Sequence, residues 1–150
     1  MQQLSTLSLV EHFGQTEFSQ ARSEIYFNGR SSGILVSGKI LEAAFSTDDD
    51  RCLIFTTDDI LFEESLTIAL VSREQGVIDI AHVGGEYVSG VFKNAVSEGD
   101  VVHFQFIDGV RWTIKISSTP HFRIPFLSDP RGVQRPSGLK TYMTFSTVPL

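Results

Sequence analysis

Apolar and polar side chains alternate along much of the chain with the period of two that a half-buried strand produces. The clearest case is VVHFQFIDGVRWTIKI, residues 101–116. A two-residue Asp-Gly loop would pair Ile107 with Val110 and leave both faces of the hairpin mixed. A three-residue loop, Ile107-Asp108-Gly109, pairs Phe106 with Val110 and Phe104 with Trp112. It gathers Val102, Phe104, Phe106, Val110, Trp112, Ile114 and Ile116 on one face and leaves His103, Gln105, Arg111, Thr113 and Lys115 on the other. This register segregates the two classes and places Gly109 where a type I turn with a G1 bulge requires positive φ.

The same pattern recurs in LTIALVSREQGVIDIAHV, residues 66–83. A loop at Glu74-Gln75-Gly76 pairs Ser72 with Ile78 and Leu70 with Ile80, placing Leu66, Ile68, Leu70, Ile78, Ile80 and His82 together. The opposite face is only partly polar, so this hairpin is expected to be covered on both sides. Strand-like stretches also occupy 24–27, 33–45, 52–56 and 88–96, with turns at Asn28-Gly29, 48–50, Gly84-Gly85 and 97–100. Gly38 marks a bulge or sharp bend. DDILFEES could form one helical turn behind an N-cap at Thr57. The fold expected is all-β: an antiparallel meander forming a barrel or a sandwich, with a Pro-rich C-terminal arm.

All five prolines lie within residues 120–149. Residues 1–150 thus read as one domain, a meander over 1–119 followed by a Pro-rich basic connection over 120–150. Proline gives no amide hydrogen to a ladder, so this segment is not expected to be a central strand. It reads as a long surface connection in which TYMTFST (141–147) returns as a last strand.

At 150 residues the chain is long enough to bury a core without a disulfide or a structural metal. Its net charge of −6 is unevenly divided: residues 1–110 carry six basic and seventeen acidic side chains, residues 111–150 six basic and one acidic. The acidic body argues against nucleic acid as a partner. There is no basic leader and no apolar run near the ~20 residues that span a bilayer, so no membrane association is expected. Cys52, the single cysteine, sits in an apolar run and suits a buried thiol in a reducing, cytoplasmic setting.

Seven carboxylates fall within residues 48–64. Neither acidic run supplies the glycine and glutamate spacing of an EF-hand. A strand over 52–56 would hold the two runs roughly 20 Å apart, which favours separate solvated turns over one ion site. Asp58, Asp59, Glu63 and Glu64 border one short loop and make an anionic patch. Arg123, Arg131, Arg135 or Lys140, in the basic segment, is expected to dock near an acidic strand end. None of the four histidines lies at metal-ligand spacing from another; His82 reads as a core residue and His103 as a surface one. Ser137 to Lys140 matches Ser-x-x-Lys, but Pro136 and Gly138 oppose the helix that spacing needs. GRSSG (29–33) and GGEYVSG (84–90) lack the glycine spacing of a nucleophile elbow and of a dinucleotide loop. No cofactor or metal is expected.

The strand rhythm resembles that of up-and-down barrels that carry small apolar ligands, although the Gly-x-Trp of lipocalins is missing, Trp112 being preceded by Val110-Arg111. Three readings of function follow. The first is a non-catalytic interaction domain that uses its acidic surface or basic arm to engage another protein or a second copy of itself as a homodimer. The second is a β-barrel for a small apolar ligand. The third is a hydrolase whose carboxylates converge only in three dimensions.

Overall fold

A computed structural model describes residues 1–12, 22–48, 50–58, 65–84, 90–107, 109–124, 129–136, 138 and 140–150. Among them the chain forms thirteen strands and no helix: β1 (Gln2–Gln3), β2 (Leu7–Glu11), β3 (Arg22–Phe27), β4 (Arg30–Ser37), β5 (Ile40–Ser46), β6 (Arg51–Thr57), β7 (Leu66–Ser72), β8 (Gly76–Val83), β9 (Lys93–Glu98), β10 (Val101–Gln105), β11 (Val110–Phe122), β12 (Val133–Gln134) and β13 (Lys140–Pro149). They make three antiparallel sheets, ordered β1-β5-β6-β7-β8-β12, β13-β11-β10-β9 and β2-β3-β4, none of which closes into a barrel.

The six-stranded sheet is covered on both faces, which is why β6 and β7 read as nearly continuous apolar runs. One face carries Phe45, Leu53, Phe55, Leu66, Ile68 and Leu70 against Val102, Phe104, Trp112, Ile114, Met143 and Phe145 of the four-stranded sheet. The other carries Ala44, Cys52, Ile54, Ala69 and Val71 against Leu7, Ile25 and Val36 of the three-stranded sheet. Aromatic rings meet in the larger core: Phe104 lies 5.2 Å from Phe55 and 6.2 Å from Trp112, ring centre to ring centre. Each fully buried side chain of this size contributes about 1.5–3 kcal/mol from water exclusion alone.

The 101–116 hairpin has the expected register, with Phe104 opposite Trp112 and Val102 opposite Ile114. Gly109 has φ +83°. The 66–83 hairpin is covered on both sides as expected, but its pairing differs. Ser72 faces Gly76 and Val71 faces Val77, after which a bulge shifts the register so that Leu70 faces Asp79 and Ala69 faces Ile80. The extra residue sends His82 to the face opposite Leu66, Ile68 and Leu70. A bulge answers to the partner strand and its packing, which composition does not display.

Gly38 separates β4 from β5 with φ +109°, and a Cβ there would lie 2.4 Å from Thr56 Oγ1. No other residue fits that bend without displacing β6. Thr57 donates to Glu42 Oε1 at 2.8 Å, and the helical turn read for 58–65 lies largely outside the described residues.

Pro120 falls inside β11, a central strand. Pairing of β11 with β10 ends at Lys115, however, and its register with β13 shifts between Ile116 and His121. Pro120 therefore sits in an irregular two-strand extension where its missing amide breaks no central ladder. The expected last strand is present and longer, spanning Lys140–Pro149 and burying Thr141, Met143 and Phe145. Val133 and Gln134 pair with Val83 and His82 at the edge of the six-stranded sheet.

Candidate functional site

The basic C-terminal segment and β8 enclose a pocket of about 200 Å³. Val77, Ile78, Asp79 and Ile80 form one wall; Arg123, Arg135, Pro136, Gly138 and Lys140 form the other. Three of the four candidate cations of the basic segment, Arg123, Arg135 and Lys140, thus meet in one place. Arg131 is exposed at the turn before β12, outside the pocket lining.

Arg135 organises this region. Its side chain is 4% exposed, and its Nη2 donates to Asp129 Oδ1 at 2.7 Å and to the Met143 carbonyl at 2.9 Å. Its Nη1 donates to Thr141 Oγ1, and its guanidinium lies 4.9 Å from the Phe145 ring centre. Arg123 stands 4.0 Å from Asp129 Oδ2 and donates to the Pro136 carbonyl at 3.0 Å. Breaking a buried, hydrogen-bonded ion pair of this kind costs about 3–5 kcal/mol. Lys140 has no carboxylate partner among the described residues; its Nζ lies 5.8 Å from the centre of the Phe122 ring, which is 76% exposed. Three cations stand against two carboxylates, so the pocket keeps an excess of positive charge.

Asp79 joins the two walls. Its Oδ2 accepts from Thr141 Oγ1 at 2.6 Å and from the Tyr142 amide at 2.8 Å, and its Oδ1 accepts from the Ile80 amide at 2.9 Å. One carboxylate therefore fastens the start of β13 to the edge of β8. Sequence reasoning missed Asp79 and Asp129 as functional positions. The available signal was Asp79 itself, an acid in the middle of the apolar strand VIDIAHV, where an unpartnered carboxylate would be costly.

A second polar cluster lies at the other end of β8. Thr56, Thr67 and His82 stand side by side across β6, β7 and β8, and Asp58, two residues beyond Thr56, belongs to the same face by alternation. Thr67 Oγ1 and His82 Nδ1 share a hydrogen bond of 3.0 Å. Burial raises the Asp58 carboxyl above its ordinary value, with the charges of His82 and Lys39 opposing the rise. Burial likewise lowers the His82 imidazole, opposed by Asp58. Asp58 Oδ1 is buried without a hydrogen-bond partner among the described residues. Thr67 is 4% exposed, so its hydroxyl serves the ring as a partner and is not presented as an open nucleophile. Asp59, Glu63 and Glu64 lie outside the described residues.

The other carboxylate run caps a turn. Asp48 Oδ1 accepts from the Asp50 and Arg51 amides at 3.1 and 2.9 Å, and Asp50 Oδ2 accepts from Ser72 Oγ at 2.9 Å. Strand β6 separates it from Asp58. Cys52 is buried, and desolvation pushes its thiol up to about 11. His103 bonds Thr113 Oγ1 at 2.8 Å on the polar face of its hairpin. No helix among the described residues is long and apolar enough to cross a membrane. Comparison with protein-family models, with curated proteins and with solved structures finds no match to this chain.

Proposed function

We propose that this chain is a non-catalytic, cytoplasmic protein-interaction domain that engages its partner through the basic segment following Pro120. The stacked sheets form a sandwich, and the segment is its Pro-rich arm, anchored at both ends and presenting cations between them. The observation that carries this reading is the meeting of Arg123, Arg135 and Lys140 in one pocket, beside an aromatic ring that is 76% exposed. Aromatic side chains and arginines are enriched in protein interfaces. The aromatic rings that meet between the larger sheets support this reading over a carrier with a hollow interior.

The test is a selection from a random peptide library, run in parallel on the protein and on a Phe122→Ser, Lys140→Glu double variant. Ligands enriched on the former and lost on the latter are the expected result. Equal enrichment on both, or none on either, contradicts it. A hydrolytic reading draws on one observation, the oppositely displaced Asp58 and His82. It requires an ester- or amide-cleaving activity that His82→Gln abolishes without unfolding the chain.

A further inference from the structure

The charge and size of the pocket specify what enters it. Its volume of about 200 Å³ is below the ~300–1,000 Å³ usual for sites that engulf a whole small molecule. Its size suits one side chain of a larger partner. The charge balance is similarly restrictive. Asp129 is committed to Arg135 and faces Arg123, and Asp79 stands in the wall itself, leaving Lys140 as the cation without a carboxylate. One surplus positive charge suits a monoanion. A phosphate brings close to two negative charges, one more than Lys140 neutralises, and its desolvation cost rises more steeply with charge than its attraction to the site.

Arg135 adds an independent observation. Its side chain is nine-tenths buried or more, yet its Nε has no hydrogen-bond partner among the described residues. A buried guanidinium donor left unused in a native site calls for a functional account. Apolar surface frames the charge: Val77 lies in the wall, and the exposed Phe122 abuts Lys140. An acidic residue arriving with apolar neighbours could place its carboxylate at Lys140 and those neighbours on Val77 and Phe122.

We propose that the pocket receives the side-chain carboxylate of a glutamate or aspartate flanked by apolar residues in an extended segment of a protein partner. This rests on the interaction reading above and names the partner's chemistry. The test uses fluorescence anisotropy with a labelled Gly-Val-Glu-Val-Gly peptide blocked at both ends, its Gln counterpart, and glutarate and inorganic phosphate as competitors. Replacing Glu by Gln and making Lys140→Glu should each weaken binding about tenfold or more. Glutarate and phosphate at millimolar concentration should not displace the peptide. Equal binding of the Glu and Gln peptides, indifference to Lys140→Glu, or full displacement by either free anion overturns the proposal. The library selection separates the two claims: ligands that need Phe122 and Lys140 but carry no acid would sink the carboxylate and leave the interaction reading standing, whereas no ligand at all sinks both.

Discussion

Asp79→Ala removes a carboxylate that fastens β13 to β8. Two of its three bonds end on Oδ2, from the Thr141 hydroxyl and the Tyr142 amide, and Thr141 is 2% exposed. The third, from the Ile80 amide, lies at the strand edge, where water can replace it. The Thr141 hydroxyl keeps a weak alternative in the Met143 carbonyl at 3.3 Å, so its loss is partial, while the Tyr142 amide loses its acceptor. A hydrogen bond to a charged group contributes about 1.5–3 kcal/mol, and a stranded buried donor costs about 1–3. The substitution should therefore destabilise the chain by about 2–4 kcal/mol. Urea unfolding reads this directly: with a slope near 2 kcal/mol/M, the midpoint should fall by about 1–2 M at unchanged slope. Asp79→Asn keeps an acceptor oxygen and should lose less than half as much. A midpoint for Asp79→Ala within about 0.25 M of the parent would refute the claim that this carboxylate anchors the basic segment.

Deleting residues 118–150 removes Met143 and Phe145 from the larger core and strips β11 of a partner; the product should be insoluble or lack a cooperative melt, and a folded, soluble product would contradict that role. Asp58→Asn should raise the thermal midpoint at pH 7. A carboxyl whose folded value lies above 3.8 supplies stability below 3.8 that is lost as pH climbs through the folded value, so the gain should shrink on acidification. His82 has the opposite sign: its folded value lies below 6.5, so its contribution is complete above pH 6.5 and lost as pH falls through the folded value, and His82→Gln should flatten the decline in melting temperature on that side. Cys52, with its thiol at about 11, should resist iodoacetamide at pH 8 in the native protein and react fully in urea; rapid native alkylation would contradict its burial.

Much of the fold was legible because two-residue periodicity is a local property. Val102 to Ile116 segregate into two faces in one register only, and Gly109 and Gly38 stand where the backbone needs positive φ. The β7–β8 bulge was not legible, since alternation continues plausibly on either side of it; the pairing of Leu70 with Asp79 is set by what lies above and below the sheet. Prolines in the C-terminal segment suggested a connection lying on the surface, yet its last ten residues contribute to the core, because Met143 and Phe145 alternate correctly and Pro120 found a place beyond the end of β10. At the pocket, the cations were legible from composition and their convergence was not. Arg123, Arg135 and Lys140 are brought together by Asp129 and Asp79, the latter reaching across 62 residues to Thr141.

Backbone amide spectra of ¹⁵N-labelled protein during titration with the blocked Gly-Val-Glu-Val-Gly peptide test the central claim most directly, since each amide reports its own site. Saturable shifts should concentrate at Val77 to Ile80, Arg123 and Lys140, leaving the turn around Asp48 and Arg51 unmoved. Shifts confined to the Asp48 turn or to the strands around His103, or no saturable shift, would contradict a carboxylate-receiving pocket beside β8.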